Sequence, residues 1–111
     1  MAITFQQLLD RSEHIKLDGL VFLENGHIFN EGSLYPTGRI SYSQYVTLKI
    51  LYKHRNADII STQELKDNLT THNCSGSDAT VRNVIYGIKR LLPDSKLVAI
   101  RQVGYFLKSS E

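Results

Sequence analysis

The chain has 111 residues, of which 41% are hydrophobic and 22% are charged, and its formal net charge is +2. This length suits one globular domain that buries about two-thirds of its unfolded surface, and it excludes a second domain of ordinary size. The single cysteine excludes an internal disulfide, and no apolar run approaches the roughly 18 to 20 residues that cross a bilayer. Residues 1–10 lack a secretory signal pattern, so we expect a cytoplasmic chain or the cytosolic part of a longer membrane protein.

The first residues of the chain predict a short helical element. Residues 5–10 can form one helical turn, for which Ile3, Leu8 and Leu9 supply apolar side chains. We expect residues 1–16 to form an amino-terminal extension and residues 17–109 to form the folded domain.

Short β-like runs follow this extension. Residues 20–23 and 27–29 are mostly apolar, and Asn25-Gly26 lies between them. An Asn-Gly pair in this setting is the strongest local signal for a β-hairpin, because both residues tolerate a positive φ. A further turn region is predicted by three residues that favour turns, Gly32, Pro36 and Gly38. The segment therefore predicts a small antiparallel sheet.

Two helices are predicted next, and each begins with a capping box. Ser41 precedes Gln44, and Ser61 precedes Glu64, at the spacing that lets each pair satisfy two backbone N–H groups reciprocally. Four residues of the first helix recur at helical spacing and should be buried: Tyr45, Leu48, Leu51 and Tyr52. The second helix is shorter, and residues 70–76 after it predict a polar loop.

The third predicted helix begins at a cap formed by Ser77 or Asp78 and is stopped by Pro93, whose ring cannot continue a helix. Its core-facing residues are Val81, either Val84 or Ile85, Ile88 and Leu92. Six residues remain on its outer side: Arg82, Asn83, Tyr86, Gly87, Lys89 and Arg90. Two strands, near residues 98–101 and 105–108, are predicted to form a hairpin around residues 102–104.

Positive charge is concentrated at this helix and hairpin. Residues 1–76 contain seven basic and eight acidic side chains, whereas residues 77–111 contain six and three. The outer helix face and Arg101 at the hairpin tip therefore present cations to two neighbouring features of a nucleic-acid duplex. Asn83 can form two hydrogen bonds with adenine, Arg82 can bind guanine or phosphate, and Tyr86 can meet a phosphate or a thymine methyl.

Plainer interpretations exist for the same residues. The helix face can be an ordinary solvated surface, and Arg101 can pair with a neighbouring acid instead of entering a minor groove. Gly87 in the middle of a helix costs roughly 1 kcal/mol relative to alanine, which indicates either a close backbone approach or simple tolerance.

Patterns for catalysis and metal binding are weak. His72 and Cys74 are close together in the predicted loop, but no second pair of ligands stands at zinc spacing. No motif supports a nucleophilic cysteine, and no Gly-rich phosphate loop is present. We therefore expect no enzymatic activity, no bound metal, no cofactor and no small-molecule substrate.

Several short motifs in the second half of the chain match a known pattern. The two helix openings are Ile40-Ser41 with Gln44-Tyr45, and Ile59-Ile60-Ser61 with Glu64-Leu65. The third helix contributes Asp78-Ala79-Thr80-Val81 with Ile85, Ile88, Lys89 and Leu92, and the hairpin contributes Ile100-Arg101 with Val103-Gly104-Tyr105. From Ile40 onward the chain thus resembles the OmpR/PhoB-type winged helix-turn-helix of bacterial response regulators, which ToxR/CadC-type membrane regulators share.

The resemblance implies an α+β fold with a three-helix core, an amino-terminal antiparallel sheet and a carboxy-terminal β-hairpin wing. It implies a transcription regulator that binds double-stranded DNA with the third helix in the major groove and the wing in the minor groove, usually as two subunits on repeated half-sites. By position, Arg101 matches the wing arginine that enters the minor groove, Thr80 and Lys89 match phosphate-facing positions, and Asn83 matches a base-facing one. The full set of expected DNA-binding residues is Thr80, Arg82, Asn83, Tyr86, Gly87, Lys89, Arg90, Arg101 and Gln102.

Some residues depart from the family pattern. Tyr86 and Gly87 stand where many members have arginines, Arg82 stands where many have aspartate, and Gln102 replaces the first glycine of the wing. The loss of base-facing arginines favours a second hypothesis, a winged helix that binds RNA polymerase or another regulator and has little DNA affinity of its own. The chain has no room for a receiver domain, so we expect a stand-alone regulator or the DNA-binding part of a longer inner-membrane one.

Overall fold

The computed structural model describes residues 2–92 and 96–109. In chain order the elements are α1 (Phe5–Arg11), β1 (His14–Leu17), β2 (Leu20–Leu23), β3 (His27–Asn30), β4 (Pro36–Arg39), α2 (Tyr42–Lys53), β5 (Ile60–Ser61), α3 (Thr62–Thr71), α4 (Asp78–Leu91), β6 (Leu97–Ile100) and β7 (Gly104–Leu107). One antiparallel sheet has the order β1-β2-β3-β4, and a second has the order β5-β7-β6. The predicted α+β arrangement of an amino-terminal sheet, helices and a terminal hairpin is confirmed.

Helix α1 confirms the predicted helical turn. Thr4 caps it by accepting a hydrogen bond from the backbone N–H of Gln7, whose side chain accepts one from the N–H of Thr4 in return. Leu9 is buried in a small cluster under the first sheet, and Leu8 is partly buried beside it. The expected boundary between residues 16 and 17 falls within β1.

The predicted hairpin is formed by β2 and β3, with Val21 opposite Phe29 and Phe22 opposite Ile28. Of the Asn-Gly pair, only Gly26 has a positive φ, at 99°. Its N–H donates to the carbonyl of Leu23 at 2.9 Å, which closes a three-residue connection between the strands.

The prediction of a turn region at residues 32–38 is wrong in part, because Pro36 and Gly38 belong to strand β4. This strand lies at the edge of the first sheet, where a residue without an N–H donor is tolerated. Its pairing with β3 is irregular between Ile28 and Phe29. The local signals for a turn were therefore outweighed by pairing with a neighbouring strand.

Helix α2 begins as predicted. The Ser41 hydroxyl accepts from the Gln44 N–H at 3.1 Å, and Oε1 of Gln44 accepts from the Ser41 N–H at 2.8 Å. Tyr45, Leu48 and Leu51 are buried, as the helical spacing predicts. Tyr52 is only partly buried, and Arg55 stacks on its ring at 3.9 Å.

The caps of α3 and α4 are serines. Ser61 accepts from the Glu64 N–H at 3.1 Å, but the Glu64 carboxylate meets the hydroxyl of Ser61 at 3.4 Å rather than its backbone. Ser61 also belongs to β5, a strand that we did not predict. Ser77, and not Asp78, caps α4. Pro93, the predicted stop signal, lies outside the described residues.

The main core lies where α2, α3 and α4 pack together over the two sheets. Helix α4 buries both Val84 and Ile85, together with Val81 and Ile88. Its buried stripe is therefore wider than the single choice between Val84 and Ile85 that the sequence left open. None of the described helices is long and apolar enough to cross a bilayer.

The strands of the wing begin one residue earlier than predicted, so that Arg101 lies in the turn and not in a strand. Gly104 begins β7, and a Cβ atom there would overlap the carbonyl oxygen of Ile60 and lie 2.8 Å from Cα of Ser61. This close approach, which only glycine permits, attaches the wing next to its tip to the start of α3.

The end of β7 is fixed by Asn56, which has a φ of 62° in the turn after α2. Its backbone N–H donates to the carbonyl of Leu107 at 2.9 Å. Its side-chain amide donates to the carbonyl of Ser109 at 2.6 Å and accepts from the N–H of Ser109 at 3.0 Å. Three hydrogen bonds thus join residues that are about fifty positions apart.

Candidate nucleic-acid interface

The outer face of α4 carries most of the residues that the sequence assigned to it. Arg82, Asn83, Lys89 and Arg90 are exposed, and Tyr86 is 64% exposed. The guanidinium of Arg90 lies 5.8 Å from the ring centre of Tyr86, one helical turn away. This face results from the buried stripe described above, because the remaining positions of an amphipathic helix must point to solvent.

Gly87 does not belong to this exposed face, contrary to our prediction. It is partly buried, and a Cβ atom there would overlap Nε2 of Gln44 and lie 3.3 Å from its Cδ. The close approach that a mid-helix glycine indicates is therefore made by another part of the same chain. Gly87 allows the first turn of α2 to pack directly against α4.

The first turn of α4 is held by hydroxyl groups. Ser77 accepts from the Thr80 N–H at 3.1 Å, and the two hydroxyls lie 2.8 Å apart. Thr80 also donates to the hydroxyl of Ser75 at 3.1 Å. Asp78 in the same turn pairs with Lys66 of α3 at 3.1 Å. This ion pair ties α3 to α4 and neutralises the carboxylate nearest to the start of the helix.

The tip of the wing is exposed. Arg101, Gln102 and Val103 form a tight turn in which the Val103 N–H donates to the carbonyl of Ile100 at 3.0 Å. Gln102 has a φ of 64°, the left-handed conformation that favours glycine. Its position is the one at which glycine is expected from the wing signature. The tip and the first residues of α3 enclose a cleft of about 380 Å³.

Three cations of α4 and the wing have no acidic partner among the described residues. Within residues 2–92 and 96–109, no ion pair involves Arg82, Lys89 or Arg101. The alternative of a wing arginine paired with a nearby acid therefore finds no support among these residues. The ion pairs of the described chain lie elsewhere, as in Lys16 with Glu31 at 3.1 Å and Lys96 with Asp18 at 3.5 Å.

Sequence reasoning missed two residues beside α4. Arg39 at the end of β4 and Gln44 in the first turn of α2 enclose a notch of about 260 Å³. We call it the Arg39 notch, and its lining residues are Arg39, Gln44, Gly87, Arg90 and Leu91. Arg39 and Arg90 are far apart in the sequence, so only the packing of α2 on α4 reveals them as neighbours.

A pair of carboxyl groups lies away from this face, between the first sheet and α2. Glu13 and Glu24 share a hydrogen bond, which lowers the pKa of Glu13 and raises that of Glu24. Lys49 pairs with Glu13 and contributes to the lowered pKa. Burial raises the pKa of Tyr45 nearby, and its hydroxyl has no hydrogen-bond partner within the described residues.

His72 and Cys74 are both engaged with the backbone. Nδ1 of His72 lies 2.8 Å from the carbonyl of Asn68, and the thiol of Cys74 lies 3.6 Å from the carbonyl of His72. In the part of the chain that the structure describes, no three histidine, cysteine or acidic side chains converge as metal ligands would.

The order of these elements, with three helices between an amino-terminal sheet and a hairpin wing, defines a winged helix-turn-helix. The DNA-binding domain of CpxR from E. coli matches this fold with a TM-score of 0.66 at 19% sequence identity, over 90% of this chain and 100% of that domain. The C-terminal domain of the nisin resistance regulator NsrR, a lantibiotic response regulator, matches with a TM-score of 0.69 at 16% identity, over 86% and 98% of the two chains.

A third match is the RstA DNA-binding domain of Klebsiella pneumoniae in complex with the RstA box, with a TM-score of 0.62 at 20% identity over 86% of this chain and 97% of that one. No protein-family model matches the chain, and no curated protein matches it by sequence. The structural similarities confirm the fold expected from the resemblance to OmpR/PhoB-type winged helix-turn-helix domains.

Proposed function

We propose that this chain is a bacterial transcription regulator that binds double-stranded DNA, with α4 in the major groove and the wing in the adjacent minor groove. The observation that carries the proposal is the set of unneutralised cations on the exposed face of α4, accompanied by Arg101 at the wing tip. It is supported by the fold, which is that of a domain solved in complex with the RstA box. Because chromosomal DNA is the proposed ligand, the proposal also places the chain in the bacterial cytoplasm.

Each exposed side chain has a role that its chemistry suits. Asn83 can pair with the edge of an adenine, and Arg82 can bind a guanine or a phosphate. Lys89 suits a phosphate oxygen, and the half-buried Thr80 would donate to one by turning its hydroxyl away from Ser75. Such contacts fix the register of the protein on the duplex. Arg101 suits a narrow minor groove, where the potential is most negative.

The contact with Gln44 narrows the part of α4 that can reach bases. Gly87 is covered by that side chain, so a direct contact from Gly87 to DNA is not part of this proposal. Base recognition is left to Arg82, Asn83 and Tyr86, which are exposed on the first two turns and the middle of α4. Gln102 next to Arg101 is proposed to contact the backbone of the minor groove.

Salt dependence of binding tests the proposal directly. Arg82, Lys89, Arg90 and Arg101 supply about four charged phosphate contacts per subunit, so the logarithm of affinity should fall with that of salt at a slope of roughly −4, to which the neutral Thr80 adds nothing. The measurement is a fluorescence anisotropy titration of duplex DNA at several salt concentrations. Binding without a slope, or no binding at low salt, would exclude the proposed function.

The role of the wing is tested by Arg101→Ala. Affinity should fall most on duplexes with narrow, A·T-rich minor grooves, because these have the most negative potential. Lys53→Ala removes an equal charge from the far end of α2 and is the matched control. Equal losses on every duplex would assign Arg101 to a plain phosphate contact instead.

A second candidate function is a winged helix that binds RNA polymerase or another regulator. It is favoured by Tyr86 and Val103, which are 64% and 53% exposed on the same elements that carry the cations. Under this hypothesis, Tyr86→Ala should abolish binding to the protein partner, whereas DNA binding would be weak in the wild type.

The number of subunits on DNA is tested separately. Sedimentation of the chain with and without duplex DNA shows whether two subunits assemble on repeated half-sites.

A further inference from the structure

The Arg39 notch has the composition of an anion-binding site. Two arginines, Arg39 and Arg90, line it, and no acidic side chain is found among its described lining residues. Neither arginine forms an ion pair with any residue that the structure describes. The notch, a concave space of about 260 Å³, is therefore lined by two cations and by no described acid.

The side chain of Gln44 adds directed hydrogen-bond donors to this notch. Its Oε1 accepts from the Ser41 N–H at 2.8 Å, which fixes the orientation of the amide. Nε2 then occupies the space left by the missing side chain of Gly87. Among the described residues, Nε2 has no acceptor. The notch is thus lined by two arginines and by an amide N–H whose position is set by the cap of α2.

We infer that the Arg39 notch binds one phosphate group of the DNA backbone, beside the major groove that α4 enters. Arg90 connects the two surfaces, because it lines the notch and also lies over the ring of Tyr86 on the exposed face. A phosphate in the notch would lie at the border of the surface that contacts bases. This inference rests on the proposed function and adds β4 and the start of α2 to the interface.

The role of Gly87 follows from the same geometry. Gly87 contributes no side chain to this part of the surface, and Arg39 from β4 supplies a cation beside it. The notch therefore adds a phosphate contact next to α4 and does not read bases.

The test is Arg39→Gln in a salt titration on a duplex of about 25 base pairs that the wild-type chain selects from a random pool, long enough for two half-sites. One phosphate contact contributes a slope of about −0.9, so the variant should lose about one unit of slope per subunit and about eightfold in affinity at 0.1 M salt. Lys53→Gln, an equal change of charge at an exposed site, should leave the slope unchanged.

A neutral methylphosphonate placed at each backbone position in turn locates the phosphate. One position in each half-site should weaken binding by the wild type but not binding by Arg39→Gln, because that variant has already lost the contact. A single coupled position of this kind per half-site supports the inference. Coupling at no position, with normal binding by the wild type, overturns it and leaves the proposed function intact. A failure of the wild type to select any duplex removes both.

Inorganic phosphate presents the same oxygens as a phosphate of the DNA backbone, so its binding to the notch is tested separately. The side-chain amide resonance of Gln44 can be followed by NMR during titration with inorganic phosphate and, separately, with the selected duplex. A shift with the duplex at much lower concentration than with phosphate supports a backbone contact. A shift with phosphate alone overturns the assignment to DNA.

Discussion

Gly87→Ala is expected to leave the stability of the chain almost unchanged, because two effects of similar size oppose each other. Alanine favours the middle of a helix over glycine by about 1 kcal/mol. The new Cβ atom would overlap Nε2 of Gln44, so the glutamine side chain must move away. This movement breaks the 2.8 Å hydrogen bond to the Ser41 N–H, which is worth about 0.5 to 1.5 kcal/mol.

The presence of Gln44 decides whether Gly87→Ala changes the free energy of unfolding. In a Gln44→Ala chain the hydrogen bond is already absent, and Gly87→Ala should raise the free energy of unfolding by about 1 kcal/mol. The two substitutions should therefore be coupled by about 1 kcal/mol. Asn83→Ala is the matched control, because Asn83 is exposed on α4 and does not line the Arg39 notch; it should respond equally in both backgrounds.

Urea denaturation followed by far-ultraviolet circular dichroism measures these free energies by linear extrapolation. If Gly87→Ala stabilises the chain equally with and without Gln44, the glutamine does not occupy the space beside the glycine. The Arg39 notch would then also lack the amide hydrogen-bond donor proposed for it.

Three further substitutions test features of the wing and the acidic pair. Gly104→Ala would place Cβ 2.7 Å from the backbone carbon of Ile60 and should destabilise the chain by about 3 kcal/mol; a loss below about 1 kcal/mol would show that β5 and β7 can separate. Gln102→Gly should stabilise the chain by about 0.5 to 1 kcal/mol, because the cost of the left-handed conformation that it removes exceeds the cost of the added flexibility of the unfolded chain. Gln102→Val should destabilise the chain for the same reason. Equal stabilities of the two variants would contradict strain at this position. The raised pKa of Glu24 means that its contact with Glu13 stabilises at low pH and is lost as the pH rises through that pKa. Glu24→Gln keeps a donor toward Glu13 at every pH, so it should stabilise the chain at pH 7, where Glu24 itself has lost its proton. The same substitution should have no effect near pH 4, around the ordinary pKa of glutamate, where Glu24 still donates. An effect that is the same at both pH values would disprove a proton shared by Glu13 and Glu24.

Local signals in the sequence predicted the elements that are stabilised locally. The hairpin at residues 20–30 follows from a glycine between apolar runs, and α2 follows from the reciprocal bonds of Ser41 and Gln44. Strand β5 has only two residues and exists through pairing of Ile60 with Tyr105. No local pattern can predict such a strand, because its partner lies more than forty positions later in the chain.

The same distinction applies to the candidate site. The exposed positions of α4 follow from helical periodicity, which identified Arg82, Asn83, Lys89 and Arg90 as outward-facing. Gly87 was assigned wrongly because its neighbour is Gln44 of another helix, and periodicity contains no information about packing between helices. Arg39 was missed for the same reason.

The three hydrogen bonds of Asn56 have a consequence for the alignment of the wing. Successive residues of a strand face opposite sides, so a slip of β7 by one residue would turn every side chain over and carry Gly104 away from Ile60. Asn56 binds Leu107 and Ser109 in only one alignment, and it does so at the end of the strand farthest from the tip. Asn56 therefore fixes the alignment of β7, and this alignment sets how far Arg101 at the other end of the hairpin can extend.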